Sequence, residues 1–264
     1  MKTIFIDLHP IFAIIKLYLI SKRGMIMLLY LIRHGDPIYN PDQLTPLGQR
    51  QAEAIAKRLS VHGVDKIFAS TSTRAYQTAV PTSEICKKPI TQLDWCNEAH
   101  AWDQLCVDLP GGGRTWAFRY PPTAQLFVSK EMRDLGDQWY THPEIEKYHL
   151  EKGIERIQTE ADAFLLSLGY KHLRDKNLYE AVNPSEERVA LFAHEGFGAA
   201  FLSCVLDIPY PMYSVHFGLT HSSLTVIEFR EQDGYVIPLV LTNGSDAHLY
   251  REGIVTGYQN RIRY

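Results

Sequence analysis

Cysteine is scarce in this chain of 264 residues: there are four, Cys86, Cys96, Cys106 and Cys204, with no CxxC pair among them. That excludes a disulfide-stapled scaffold and a thiolate zinc site, and fits a reducing compartment, the cytoplasm. An excess of one charge is missing as well. Lysine and arginine number 27 against 30 aspartates and glutamates, which argues against nucleic acid as the main partner but leaves room for a local basic pocket. Internal repeats, linkers and low-complexity stretches are absent, so fibrous and disordered classes are out. No uninterrupted apolar run reaches the roughly 20 residues that a membrane-spanning helix needs. The nearest approach, Ile11–Ile20, is broken by Lys16 and preceded by Asp7, His9 and Pro10. Three readings of residues 1–24 stay open: an extension upstream of a start at Met25 or Met27, a peripheral or docking segment, and a signal or anchor. Stable membrane insertion is not expected.

What is present reads as alternating strand and helix. Met27–Ile32 is a short continuous apolar run, the pattern of a strand buried on both faces of a parallel sheet. Thr45-Pro46 opens a helix with an N-cap and a proline at its first position, Ala52, Ile55, Ala56 and Leu59 follow at helical spacing, and Gly63 lies past the end. Lys66–Ala69 and Val189–Ala193 are further strands, Thr73 onward, Ile154–Leu168 and Gly198–Leu206 are helices, and Ser223–Phe229 and Tyr235–Leu241 form two strands around the turn at 231–234. The pattern breaks down between Ala99 and Tyr148, where Gly111–Gly113, Pro121-Pro122 and clustered aromatics mark an irregular insertion. The expected fold is α/β: a three-layer αβα sandwich with a mostly parallel sheet, one domain over residues 25–264, and an inserted lid at about 99–150. An edge strand near the C-terminus leaves a homodimer open.

Polar residues concentrate where the strands end, which is where open parallel sheets bind ligands. Arg33-His34-Gly35 follows the first strand, Ser70–Arg74 joins a strand to a helix, Ala193-His194-Glu195-Gly196 does the same, and Glu98 lies in a polar loop. Two histidines, two arginines and a glutamate beside helix N-termini make a poor cation site. They suit a phosphoryl group, which carries negative charge throughout its transfer. No metal or other cofactor is expected.

These segments resemble a known family. Arg33-His34-Gly35, Asn40, the stretch Leu44–Ala52, the stretch Ser70–Ala79, His194 and the stretch Asn243–Leu249 are similar to the motifs of the histidine phosphatase (phosphoglycerate mutase-like) superfamily, in order from Met25 to about Leu249. The resemblance implies a phosphatase acting on a small phosphorylated metabolite without a metal, with His34 as the nucleophile that becomes a phosphohistidine. It implies that Arg33, Arg74 and His194 hold the phosphoryl oxygens, that Asn40 and the backbone N–H of Glu195 assist, and that Glu98 is the general acid. Asp94 and Asp103 lie in the same region as alternatives to Glu98. The segment 36–43 lacks the Gly-Trp and the properly placed Asp of a glycolytic mutase, and Pro37 stands where the family often has a hydroxyl residue. A mutase is the second reading and a phospho-ligand binding module without turnover the third. Glu195 replaces a usual small residue; its carboxylate either favours a substrate with a cationic or hydrogen-bond-donating group or points to solvent. His216 and His221 are placed to line the pocket, His248 matches a family position with a structural role, and His62, His142, His149 and His172 carry no partner spacing. Arg114 and Arg119 are read as solvated surface or as contacts for a second anionic group.

Overall fold

The structure, a computed structural model, describes residues 24–256; all of the 1–24 segment but Gly24 lies outside the described residues. In chain order the elements are β1 (Ile26–Arg33), the hairpin β2 (Pro37–Tyr39) and β3 (Asp42–Leu44), α1 (Pro46–Ser60), β4 (Lys66–Ser70), α2 (Thr73–Cys86) and β5 (Ile90–Leu93). Next come α3 (Glu98–Leu105), the hairpin β6 (Cys106–Asp108) and β7 (Arg114–Trp116), three short helices α4 (Pro121–Phe127), α5 (Lys130–Leu135) and α6 (Pro143–Glu146), and the long α7 (Leu150–Ser167). The chain continues through β8 (Tyr170–Leu173), β9 (Leu178–Ala181), β10 (Arg188–Ala193), α8 (Glu195–Val205), α9 (Tyr210–Ser214), β11 (Leu224–Arg230), β12 (Tyr235–Val236), β13 (Leu239–Ser245) and α10 (Ala247–Arg251).

Six strands make the central sheet in the order β13-β11-β1-β10-β4-β5. β1, β10, β4 and β5 run parallel, and β11 runs antiparallel to both of its neighbours. The apolar run of β1 serves both faces by strand alternation. Met27, Leu29 and Leu31 pack with Ile157 and Phe164 of α7 and Phe197 and Phe201 of α8. Tyr30 and Ile32 pack on the other side with Ile55 and Leu59 of α1 and Ala79 of α2. This is the mixed α/β sheet flanked by helices that the strand and helix pattern led us to expect.

Helix α1 starts as its sequence dictates, with the Thr45 side chain accepting from the Gly48 N–H and Pro46 at the first turn. Gly48 has a second task. A Cβ there would lie 2.2 Å from the Asp36 carbonyl oxygen, and one on Gly35 would lie 2.6 Å from the Gly48 carbonyl oxygen. The turn after β1 and the first turn of α1 thus approach closely only because both residues are glycine. We predict that Gly48→Ala costs roughly 1–3 kcal/mol by overpacking, seen as a fall of several degrees in Tm by calorimetry.

Two expectations change. The strand read as Tyr235–Leu241 is divided: β12 pairs with β9 in a separate three-stranded sheet, whereas β13 pairs with β11. Pro238 stands between them and offers no N–H to a ladder, so pairing breaks there. The helix read as Gly198–Leu206 begins at Glu195, which makes His194 its N-cap residue.

His172 has partners after all. Its Nδ1 lies 3.0 Å from Asp162 Oδ1 and its Nε2 lies 2.8 Å from Asp207 Oδ2, while Arg174 bonds both carboxylates. The four groups join α7, β8 and the turn after α8, and the two carboxylates balance Arg174 plus a protonated His172. Burial alone lowers the imidazole pKa, but the hydrogen bonds to Asp162 and Asp207 outweigh it and the pKa is raised. A raised histidine pKa gives stability that is complete below the unfolded value of about 6.5 and is lost as pH rises through the folded value. The Tm gap between the wild type and His172→Leu should therefore be widest below about pH 6.5 and narrow at alkaline pH, measured by thermal melts across a pH series.

Candidate active site

The C-terminal ends of β1, β4 and β10 place His34, Ser70–Arg74 and His194 side by side. The His34 N–H donates to the Ala193 carbonyl across the β1–β10 ladder at 2.9 Å, and the His34 carbonyl accepts from the Ser222 N–H at 3.0 Å. The Gly35 N–H donates to Thr78 Oγ1 of α2 at 3.0 Å. This backbone lattice holds the imidazole in one place, fully buried.

His34 Nδ1 donates to the Gly35 carbonyl oxygen at 2.7 Å. A carbonyl only accepts, so the proton is on Nδ1 and Nε2 carries a lone pair. Nε2 is buried and has no hydrogen-bond partner among the described residues. Burial, then the neighbouring His194, Arg33 and Arg74, push the His34 pKa well below its ordinary value, so the ring is neutral at physiological pH.

Arginines flank the ring on both sides. Arg33 Nη2 donates to His221 Nε2 at 3.0 Å, and its Nη1 is 2.9 Å from Glu195 Oε2. Arg74 Nη1 is 2.8 Å from Asp42 Oδ1, and its Nη2 donates to His194 Nδ1 at 3.2 Å. The Nε of each guanidinium is buried with no partner among the described residues, so both arginines keep a donor uncommitted. His194 Nε2 donates to Ser70 Oγ at 2.8 Å, which leaves its Nδ1 an acceptor and the ring neutral. Burial and then Arg74 and Arg33 hold its pKa well below the usual value.

Glu98 closes the ring of residues. Its Oε1 accepts from the N–H groups of Gly196 and Phe197 at 2.8 and 3.4 Å, capping α8, and its Oε2 lies 3.5 Å from both Arg74 Nη2 and His194 Nδ1. Burial raises its pKa, and the opposing pull of Arg74, Arg33 and the two N–H bonds does not cancel that rise. Asp94 and Asp103 lie elsewhere: Asp94 is exposed and bonded to Thr71 and His100, and Asp103 faces Arg114 on the surface.

Residues 29–105 match the family model of the histidine phosphatase superfamily, branch 1. No curated protein matches the chain in sequence. Among solved structures, a mycobacterial hydrolase is 19% identical with TM-score 0.54, covering 83% of this chain and 98% of its own. The phosphoserine phosphatase of Entamoeba histolytica, in complex with 3-phosphoglyceric acid, is 18% identical with TM-score 0.53, covering 84% of this chain and 99% of its own. A mycobacterial glucosyl-3-phosphoglycerate phosphatase holding VO3 is 17% identical with TM-score 0.52, covering 83% of this chain and 99% of its own. The chain resembles the histidine phosphatases. At these identities the structural likeness is one of fold.

Not every residue that the family motifs single out joins the cluster. Asn40 is exposed at the β2–β3 turn and makes no hydrogen bond to the cluster among the described residues. Its neighbours reach the site instead: Asp42 binds Arg74, and the Tyr39 ring lies 5.3 Å from the Arg74 guanidinium carbon. The Glu195 carboxylate neither faces solvent nor stays free for a ligand, because it bridges Arg33 and Arg119, the latter at 2.6 Å. His221 does line the cluster, 5.6 Å from the His34 ring, whereas His216 is exposed. His248 is buried against Ser222.

His34, Glu98 and His194 present ligand atoms within 4.8 Å of one another, close enough to hold a metal ion. Their setting does not favour one. Two guanidinium groups share the space and already disfavour a proton on either imidazole, and they oppose a divalent cation in the same way. The donors left over, two arginine Nε–H groups, fit an anion.

Proposed function

We propose that this protein is a phosphomonoesterase that works through a phosphohistidine on His34, without a metal. The observation that carries this reading is the buried His34 Nε2, unprotonated and unpartnered, between two arginines with free Nε donors. Nε2 attacks phosphorus, an N–P bond forms, and the ester P–O bond breaks as Glu98 delivers its proton to the leaving oxygen. Arg33, Arg74 and the backbone N–H of Glu195 hold the phosphoryl oxygens and their charge in the transition state, and His194, whose Nδ1 accepts from Arg74, holds that guanidinium in place. Water then attacks phosphorus, gives a proton to Glu98, and the N–P bond breaks to release phosphate.

The substrate class we assign is a small phosphorylated metabolite. Residues 99–150 serve as the lid over the site, and a cytoplasmic location fits the four free cysteines. Among the described residues no helix is long and apolar enough to cross a membrane.

Alkaline denaturation during turnover of a 32P-labelled ester should trap protein-bound label that is base-stable and acid-labile. Absence of such label overturns the reading. Incubation with 3-phosphoglycerate separates the mutase alternative, for which isomerisation without phosphate release is the decisive result.

A further inference from the structure

In-line transfer places the leaving oxygen opposite His34 Nε2, on the side where Glu98 can protonate it. Whatever is attached to that oxygen must extend past Glu98. Glu98 and Arg74 form the inner wall of a cavity of about 700 Å³, a size typical of sites for organic ligands. Its outer wall is aromatic: Tyr39, Trp102 and Trp116.

The polar side chains around this cavity are largely committed within the protein. Asp42 binds Arg74 and the Thr73 N–H. Asn97 caps α3 through the Ala99 N–H and donates to Thr71, which in turn bonds Asp94. Among the described residues Arg74 is the only cationic side chain lining it, and the proposed reaction uses it for the phosphoryl group. Nothing in this wall therefore answers a second charged group on the ligand.

The aromatic side chains are arranged to receive a ring. Trp102 and Trp116 stand perpendicular with ring centroids 5.1 Å apart and form a corner. Trp116 is backed by Phe118, stacked at 5.8 Å. It also sits directly on Gly196, where a Cβ would fall 2.3 Å from the indole, so the glycine after Glu195 admits this indole beside the helix that carries His194. Trp102 is 36% exposed and Tyr39 is 66% exposed, which leaves ring surface open to a ligand. Large exposed aromatic rings gathered beside a reactive centre mark a binding surface, since stacking removes them from water at little entropic cost.

Building on the phosphomonoesterase reading, we infer that the substrate's leaving group carries a planar aromatic or heteroaromatic ring, seated against Trp102 and Trp116 with Tyr39 at the rim. Glu98 protonates the oxygen that joins this group to phosphorus.

The test compares esters that share a scissile bond and differ only in the ring. Adenosine 5′-monophosphate and ribose 5-phosphate are one pair, and 2-(1-naphthyl)ethyl phosphate and ethyl phosphate are a second. In at least one pair the ring-bearing ester should show kcat/KM higher by roughly tenfold or more, the size of a stacking contribution. Trp102→Leu, on the exposed side of α3, should bring that ratio close to one. Hydrolysis of both pairs without ring preference overturns this inference and leaves the phosphomonoesterase reading standing, as does a preference that Trp102→Leu does not change. Failure to hydrolyse any ester, with no trapped phosphoenzyme, removes both.

Discussion

Replacing His34 by asparagine is expected to lower kcat by roughly 10⁴-fold or more, the scale of losing a covalent nucleophile. Phosphorylated enzyme should vanish from trapping experiments at the same time. The amide of asparagine can still bond locally, but it has no lone-pair nitrogen to attack phosphorus. Arg33, Arg74 and His194 are untouched by the change, so inorganic phosphate should still bind, and calorimetric titration would show it. A variant that keeps more than about a hundredth of the wild-type rate would rule out the covalent route, because side chains that only orient and stabilise do not substitute for the nucleophile. A second readout separates this from general damage. His34 is held neutral by burial and by its cationic neighbours, with a pKa well below the unfolded value of about 6.5. As pH falls below that value the unfolded chain takes up a proton that the folded chain refuses, so stability falls. His34→Asn removes that proton from the balance, and denaturant melts should show stability falling less steeply with acid than in the wild type.

Much of this site was legible in the sequence because its parts are local. The two-faced apolar run of β1, the Thr45-Pro46 cap and the segment after β4 each follow from neighbours along the chain, and strand ends collect ligand-binding residues by topology. The pairing of Gly35 with Gly48 was hidden in plain motifs, since only the packing of two turns shows why both lack a side chain. Partners far apart in sequence were not legible. The bridge from Arg119 through Glu195 to Arg33 and the two carboxylates around His172 come from separate elements, and no spacing rule links them. The hairpin β8–β9 escaped notice for a different reason: Lys171 and His172 interrupt its apolar pattern, and its turn carries none of the usual glycine signals. Asn40 is a motif position whose side chain stands at an exposed turn, outside the hydrogen-bonded cluster.

Glu98→Gln is expected to slow hydrolysis of alkyl phosphates by about 10²–10⁴-fold, the usual size of general acid–base help. Glutamine keeps the carbonyl oxygen that accepts from the Gly196 and Phe197 N–H groups, so the N-terminus of α8 stays capped. What it removes is the proton. A nitrophenolate leaves without one, so phosphorylation of His34 by 4-nitrophenyl phosphate should be nearly normal in the variant, seen as a burst of nitrophenol. An alkoxide does need the proton, and no burst should appear with an alkyl ester. Burial lifts the Glu98 pKa above the ordinary carboxylate range, which keeps more of the acid protonated where other carboxylates have ionised. Wild-type kcat/KM for alkyl esters should therefore fall as pH rises through that raised value, and this limb should be missing from Glu98→Gln. Asp94→Asn is the control, because Asp94 is exposed and tied to Thr71 and His100 away from the phosphoryl site. If Asp94→Asn reproduced the leaving-group dependence, or if Glu98→Gln slowed both classes of ester equally, the acid would have to be sought elsewhere. The burial of Glu98 between Arg74, His194 and the α8 N-terminus points against that result.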